Sequence, residues 1–318
     1  MRRDRARRKT DKELERIEKK LHELYYEAGV DLRQEWIEYA SEAERALESV
    51  ETQYQQAVES GDKKEAERAE RELEKAKFGQ TLYSKKYKRL VDNTTKKLAA
   101  TGAVALAYVQ RQLPNVYSVS RNAVVKLSVG MGVDFTIVNE RAVKNLVKAG
   151  TVTLPHKTLS IPKDMRWNRK FINSQVTQGI VRGESVQKIA DRLFPEIYKK
   201  AGYPTDDALI KRCEDAAMRN ARTLVNGAEN LGRLDSYFEL RDAGVIIRKK
   251  WLAFIDNRTR ESHIEINGDE EELEDEFPNG LMYPSDPDGE PAEVYNCRCT
   301  MEPVIDGFIG EGGEVHSI

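Results

Sequence analysis

The chain has 318 residues, of which 39% are hydrophobic and 33% are charged, and its formal net charge is −2. This length predicts roughly two domains. The slightly acidic balance argues against a dedicated nucleic-acid-binding protein, whose domain usually carries a basic isoelectric point. The charged fraction exceeds the value of about 25% that is typical of globular domains. We therefore expect long solvent-exposed helices or surfaces that face other subunits.

The cysteine content argues against a disulfide-rich secreted protein, and the hydropathy pattern argues against a membrane-spanning one. Three cysteines, two of them clustered, do not make a disulfide framework, so they indicate a reducing compartment. No apolar run approaches the roughly 20 residues that a membrane-spanning helix needs. The N-terminus is basic but lacks the apolar core of a signal peptide. We expect no membrane span, and synthesis in the cytoplasm of the cell that makes the protein.

The segment 1–114 is predicted to be a charged, helical region with coiled-coil character. From Leu14 onward, apolar residues recur at steps of three and four, which is the helical period. Gly29 and Asp31 predict a break between two helices, because glycine often follows a helix end and aspartate often caps the next helix. Pro114 is predicted to end the last helix of this region.

The first residues of the chain form a basic cluster. Its arginines are Arg2, Arg3, Arg5, Arg7 and Arg8. One interpretation is an arm of a DNA-binding accessory protein, whose phosphate contacts would weaken steeply with salt. The other interpretation, which we favour, is a solvated and frayed terminus.

After Pro114 the composition changes twice. Residues 115–165 are rich in β-branched residues and glycine, which predicts a β-rich or extended connector. Helices return in the segment 166–318, where Ser185 is placed to cap a helix and a strand begins at Val245. The predicted fold class is therefore α+β and predominantly α-helical, with a long N-terminal helical region and a C-terminal helical module that carries a small β-sheet.

The C-terminal segment contains the most distinctive pattern of the chain. A strand led by tryptophan is followed by D-x-R-T-R-x-x-H, then by a glycine, and near the end by N-C-x-C. These residues are Trp251, Asp256, Arg258, Thr259, Arg260, His263, Gly268, Asn296, Cys297 and Cys299. The combination resembles the C-terminal module of phage Mu F-like minor head proteins, a family of phage head-morphogenesis proteins. The resemblance covers the segment 166–318, and the N-terminal region is similar only as a variable helical extension.

This resemblance implies a low-copy virion protein that lies inside the capsid near the portal. It also implies that the protein binds portal and capsid or scaffold subunits during procapsid assembly, and that it aids DNA packaging or delivery. Trp36, Tyr39 and Tyr54 are candidate contacts with such subunits, or else core residues. Some family members carry a toxin domain after this module. Because Ile318 follows N-C-x-C closely, we expect no such domain here and no enzymatic activity.

The C-x-C pair suggests a metal site. Residues i and i+2 of a strand point to the same face, so Cys297 and Cys299 are expected to present their thiols together. With His263 and Asp256 they form a candidate Zn²⁺ site, because thiolate and imidazole are usual zinc ligands. The spacing departs from that of most structural zinc sites, which separate two cysteines by about two to four residues. The alternative, which the sequence favours, is that these side chains are packed core residues and no cofactor is needed.

Three residues of the pattern allow an enzymatic alternative. Arg258 and Arg260 could bind a phosphate or nucleotide substrate, and His263 could transfer a proton. The competing interpretation is an internal network in which Asp256 caps the helix that starts near Thr259 and pairs with an arginine. Because no nucleophile accompanies these residues, we favour the internal network.

Overall fold

The structure is a computed structural model that describes residues 5–78, 84–129, 161–196, 208–309 and 314–317. These ranges contain eight helices and four strands. The helices are α1 (Arg5–Glu59), α2 (Lys63–Phe78), α3 (Lys85–Val129), α4 (Ile161–Val181), α5 (Val186–Leu193), α6 (Leu209–Asp242), α7 (Glu261–Glu265) and α8 (Pro291–Val294). The strands are β1 (Val245–Leu252), β2 (Glu270–Glu271), β3 (Thr300–Ile309) and β4 (Val315–Ser317). The predicted fold class is confirmed. Within the described ranges, every helix falls short of the length or the apolar content that crossing a membrane requires.

The described residues form two compact units. The first unit contains residues 5–20, 105–129, 217–309 and 314–317, and the second contains residues 21–78, 84–104, 161–196 and 208–216. Helices α1, α3 and α6 contribute residues to both units. All the residues of the distinctive C-terminal pattern belong to the first unit.

The second unit is helical and has an aromatic core. The Trp36 side chain is 1% exposed, and its indole N–H donates to Thr94 Oγ1 at 3.0 Å. Its ring packs edge-on against Tyr87, with 6.5 Å between ring centroids, and lies 6.0 Å from the ring of Phe194. Tyr39 lies 6.3 Å from Tyr87 by the same measure. Trp36 is therefore a core residue, which was the second of the two interpretations given above, and it is not exposed for contact with another subunit.

Helix α1 is continuous where the sequence predicted a break. Gly29 and Asp31 are both helical, and the flanking residues Ala28 and Leu32 are buried in the second unit. A glycine inside a helix costs about 1 kcal/mol. Burying a leucine contributes about 1.5–3 kcal/mol. The apolar stripe therefore outweighs the local signal for a break.

Helix α3 continues through Pro114, where the sequence predicted its end. The prediction of a β-rich or extended connector over residues 115–165 was wrong for residues 115–129 and for the first residues of α4, which are helical. Residues 130–160 of that connector lie outside the described residues. A proline inside a helix costs about 3 kcal/mol. Packing of the following residues against α6 compensates this cost.

Two polar pairs and a close backbone approach join α3 to α6 in the first unit. The Tyr117 hydroxyl donates to the carboxylate of Asp235, and the Arg121 guanidinium pairs with Glu239. Gly232 on α6 faces the backbone of α3, where a Cβ atom would lie 2.6 Å from the carbonyl oxygen of Tyr117. The glycine thus allows the two helices to approach more closely than any other residue would permit.

The first unit also contains an antiparallel sheet of four strands in the order β2-β1-β3-β4. Strand β1 begins at Val245 as predicted and alternates buried with half-buried residues. Its buried Trp251 packs edge-on against Phe277, with 5.1 Å between ring centroids. Further core residues around it are Leu234, Tyr237, Leu240, Leu281, Val294 and Met301. This core is the platform on which the C-terminal pattern of residues is arranged.

A candidate metal-ligand cluster

Three side chains of the C-terminal pattern meet in the core of the first unit. His263 lies on α7, and its Nδ1 is 3.6 Å from Cys297 Sγ and 3.4 Å from Cys299 Sγ. The ligand atoms of all three residues lie within 4.8 Å of one another, and all three side chains are buried. The two thiols converge as the sequence suggested. However, the cysteines lie in the loop between α8 and β3, and not in a strand.

A left-handed residue and three hydrogen bonds shape this loop. Asn296 has a φ of +56°, a conformation that asparagine tolerates better than most residues. Its backbone N–H donates to Thr223 Oγ1 on α6 at 3.1 Å. The N–H of Cys297 donates to the carbonyl of Val294 at 3.3 Å, and Arg260 donates to the carbonyl of Tyr295 at 2.5 Å. Asn296 and Arg260 therefore act by fixing the path of the loop.

The imidazole of His263 is held between a tryptophan and a carboxylate. Its ring lies edge-on to Trp251, with 5.2 Å between ring centroids. Its Nε2 lies 2.9 Å from Glu293 Oε2, which is an ion-pair distance, although the angle is not that of a hydrogen bond. Glu293 Oε2 also accepts a hydrogen bond from Ser262 at 2.8 Å. One ring nitrogen thus faces two sulfur atoms and the other faces a carboxylate.

The pKa values of the two thiols are shifted in opposite directions. A hydrogen bond with Cys297, followed by one with His263, lowers the pKa of Cys299 to about 5, although burial acts in the other direction. Burial raises the pKa of Cys297, and its hydrogen bond with Cys299 raises it further. Hydrogen bonding between the two thiols and the nearby imidazole therefore favours loss of a proton from the pair. A thiolate beside an imidazole is a donor set for soft or borderline metal ions.

Asp256 does not join this cluster, which corrects its assignment as a fourth ligand. Its two carboxylate oxygens each accept a hydrogen bond from Arg298 at 2.6 Å. Its Oδ1 also accepts from the backbone N–H of Arg258 at 2.9 Å and from Thr259 Oγ1 at 3.2 Å. Arg298 and the Arg258 N–H hold the pKa of Asp256 below its usual range. Asp256 caps the turn before α7, whose own N-cap residue is Arg260.

The side chains of the enzymatic alternative do not converge on an open cavity. The Arg258 side chain is 75% exposed and approaches Asp256 at 3.8 Å. Arg260 is bonded to the loop carbonyl of Tyr295, and His263 is buried. Arg258 lines a cavity of about 330 Å³, but the residues that line this cavity do not include Arg260 or His263. The described geometry therefore gives no support to a shared catalytic role for the three.

The remaining residues of the pattern position strand β1. Gly268 has a φ of +99°, which favours glycine, and its N–H donates to the carbonyl of Trp251 at 2.9 Å. The N–H of Trp251 donates in turn to the carbonyl of Asp269 at 2.9 Å. The Thr259 hydroxyl donates to the carbonyl of Phe254. These bonds hold the segment around α7 against the end of β1.

Sequence reasoning missed the buried polar face of α6 that holds the cysteine loop. Asn226 Nδ2 donates to Ser285 Oγ at 3.0 Å and to the carbonyl of Cys299 at 3.2 Å. Asn230 Nδ2 donates to the same carbonyl at 3.3 Å, and its Oδ1 accepts from Thr300 Oγ1 at 3.1 Å. Residues four apart share one helix face. The signal was present in the sequence as two asparagines at this spacing on one face of the helix.

The basic N-terminus is partly built into the first unit. The Arg7 guanidinium donates to Asn226 Oδ1 and to Glu229 Oε2, each at 2.8 Å, and Glu229 is fully buried. Arg7 is therefore committed to an internal ion pair, so at this residue the favoured interpretation of a solvated and frayed terminus was wrong. Of the other arginines, Arg8 is exposed and Arg5 begins α1, whereas Arg2 and Arg3 lie outside the described residues.

The chain is similar to a known family over the region that holds the cluster. Residues 170–302 match the family described as phage Mu protein F like protein. This segment is a phage Mu F-like domain. The resemblance to phage Mu F-like head-morphogenesis proteins is thereby confirmed. The Mu F-like domain includes His263, Cys297, Cys299 and the Asp256–Arg298 ion pair.

Two curated relatives extend the similarity beyond the Mu F-like domain. The chain is 27% identical over 232 residues to a protein named NAD(+)--arginine ADP-ribosyltransferase EFV from Enterococcus faecalis (strain ATCC 700802 / V583), a match that covers 72% of this chain and 42% of that protein. It is 27% identical over 195 residues to the Minor head protein GP7 of Bacillus phage SPP1, covering 57% of this chain and 54% of that protein. The chain thus spans about half the length of the curated relatives it matches. No solved structure matches it.

Proposed function

We propose that the chain is a minor head protein of a tailed phage or prophage that acts in head morphogenesis. The observation that carries this proposal is the Mu F-like domain over residues 170–302. The similarity to the minor head protein of phage SPP1, over 57% of this chain, supports it. In this proposal the protein binds portal and capsid or scaffold subunits during procapsid assembly, lies inside the capsid near the portal, and aids DNA packaging or delivery.

The internal use of the motif residues favours a binding and positioning role over catalysis. Asp256 is bonded to Arg298, and Arg260 is bonded to the carbonyl of Tyr295. The Asp256 carboxylate and the Arg260 guanidinium hold the loop in place through these bonds, which favours a structural role for both groups over contact with a substrate. The name of the E. faecalis relative describes an enzyme, and the match spans 42% of that protein. We therefore propose assembly, and not ADP-ribosyl transfer, as the function of this chain.

Co-assembly with its own phage proteins tests this proposal. The full chain would be expressed with the portal, scaffold and major capsid proteins of the phage or prophage that encodes it, and procapsids would be separated on a density gradient. We expect the chain to sediment with procapsids that contain the portal. Shells assembled without the portal, and procapsids of an unrelated phage, serve as controls.

The same gradient also distinguishes the two results that would contradict the proposal. If the chain stays at the top of the gradient in the presence of all its own head proteins, it is not a head component and the proposal is wrong. If it sediments equally with shells that lack the portal, its partner is the capsid or the scaffold, and the assignment of the portal as its partner is wrong.

A further inference from the structure

The distances in the cysteine–histidine cluster match those of a tetrahedral zinc site. With Zn–S bonds of about 2.3 Å and Zn–N bonds of about 2.0–2.1 Å, tetrahedral angles place nitrogen and sulfur about 3.6 Å apart. His263 Nδ1 lies 3.6 Å from Cys297 Sγ and 3.4 Å from Cys299 Sγ. These two contacts are the edges expected of such a tetrahedron.

A thiol–imidazole hydrogen bond accounts for only part of this arrangement. The Nδ1 atom of a neutral imidazole either donates one proton or accepts one hydrogen bond. It therefore cannot make two linear hydrogen bonds, yet it lies at nearly equal distances from Cys297 and Cys299. A single cation bound by Nδ1 and both Sγ atoms would account for both nitrogen–sulfur distances.

The surroundings of His263 fit a metal ligand as well. A histidine that binds a metal through one nitrogen almost always directs the other toward a carboxylate, a carbonyl or water. The Nε2 atom of His263 lies 2.9 Å from Glu293 Oε2, and the same oxygen accepts a hydrogen bond from Ser262 at 2.8 Å. This distance, though not the angle, matches the outer pair of a carboxylate–histidine–metal triad.

We propose that His263, Cys297 and Cys299 bind a zinc ion, with Glu293 as the residue that orients the imidazole. Two thiolates balance the charge of Zn²⁺, so the buried site would have no net charge. Within the part of the chain that the structure describes, no fourth histidine, cysteine or carboxylate joins the group. The fourth position of the ion is then taken by water or another small ligand.

Such an ion would tie α7 to the loop before β3. His263 is separated from Cys297 by a long stretch of sequence that includes β2 and α8. The same loop carries Arg298, whose guanidinium binds Asp256 just before α7. Because metal binding to folded ligands contributes to folding free energy, removal of zinc should loosen this part of the Mu F-like domain.

The first test measures metal content and ligand type in the full chain. The protein would be purified under reducing conditions, its zinc measured by mass spectrometry, and the zinc then replaced by Co²⁺. We expect about one metal per chain. We also expect the near-ultraviolet thiolate-to-cobalt absorption and the visible bands of a tetrahedral site. A wild-type chain that takes up neither zinc nor cobalt under these conditions overturns the proposal.

Matched variants locate the ion. Cys297→Ser and Cys299→Ser should each weaken the thiolate-to-cobalt absorption, and replacing both should abolish it, whereas Cys213→Ser, which removes the remaining cysteine of the chain, should keep it. Glu293→Gln keeps all three ligands and should weaken metal affinity by about 10-fold to 100-fold. Circular dichroism confirms that each variant is folded. Uptake that persists when Cys297 and Cys299 are both replaced would place the ion elsewhere and contradict the proposal.

Discussion

Lys249 is a buried lysine in β1, one of the two interior strands of the sheet. Its side chain is fully shielded from solvent, and its ammonium group donates to the carbonyls of Leu273 at 3.2 Å and Met282 at 3.0 Å. It also lies 5.1 Å from the centre of the Phe277 ring. Burial lowers the pKa of Lys249 to about 8, against the opposing effect of nearby carboxylates. These carboxylates belong to Asp275, Glu271, Asp286 and Glu274.

This lowered pKa predicts that Lys249 makes stability rise with pH. Between about pH 8 and pH 10.5 the unfolded chain binds more protons at this position than the folded chain does. The cost of burying a charged ammonium group is therefore present in full below about pH 8, and it disappears as the pH approaches 10.5. Urea unfolding at pH 7 and pH 10 would compare the wild type with Lys249→Met. We expect their stability difference to move in favour of the wild type by about 1–3 kcal/mol.

The neighbouring lysine provides the control for this experiment. Lys250 is half-buried and pairs with Glu270 at 2.8 Å, so Lys250→Met removes a lysine from the same strand without removing a buried ammonium group. If the stability difference between the wild type and Lys249→Met is the same at both pH values, the ammonium group is not buried as described.

At the scale of elements, the contact between α3 and α6 depends on one glycine. Replacing Gly232 with alanine would place a methyl group 2.6 Å from the carbonyl oxygen of Tyr117, so the two helices must move apart. We expect Gly232→Ala to lower the free energy of unfolding by about 1–3 kcal/mol, the usual cost of overpacking. This loss should appear although alanine favours a helix over glycine by about 1 kcal/mol.

A second helical glycine serves as the matched control. A Cβ atom at Gly102 on α3 would meet the Tyr25 hydroxyl at 3.6 Å, which is an ordinary contact. Gly102→Ala should therefore leave stability unchanged or raise it. Equal stability of Gly232→Ala and Gly102→Ala in chemical denaturation would contradict the close approach of α3 and α6.

Local sequence patterns predicted which helices and strands form better than they predicted where these elements end. The periodicity and the cap at Ser185, whose Oγ accepts from the N–H of Lys188 at 3.2 Å, correctly predicted α5. The alternation after Val245 correctly predicted β1. Gly29 and Pro114 misled the prediction because each costs a few kcal/mol at most, and burial of the residues around them contributes more.

At the candidate site, too, the sequence predicted some contacts and missed others. The convergence of Cys297, Cys299 and His263 could be proposed from residue types alone, because few side chains combine in this way. The exclusion of Asp256 could not, because it depends on Arg298, which reaches it only once the loop before β3 is folded. Pairings between distant segments are decided by tertiary packing, which no local spacing encodes.

At the scale of the whole first unit, Arg7 links the start of the chain to a fully buried carboxylate. Glu229 is fully buried and accepts from Arg7 at 2.8 Å and from Arg233 at 3.2 Å. Arg7 also donates to the carbonyl of Arg298 at 3.3 Å, next to both cysteines of the loop. The beginning, the middle and the end of the sequence therefore meet around one carboxylate.

Arg7→Ala and Arg8→Ala separate this structural role from a role in DNA binding. Each variant removes one positive charge, but Arg7 pairs with a buried carboxylate whereas Arg8 is exposed. Removing one partner of a buried ion pair costs about 3–5 kcal/mol, and the remaining bond from Arg233 should reduce this to about 2 kcal/mol. We expect Arg7→Ala alone to lower the midpoint of chemical denaturation. Equal stability of the two variants, with equally weakened binding to duplex DNA at low salt, would instead assign both arginines to a DNA contact.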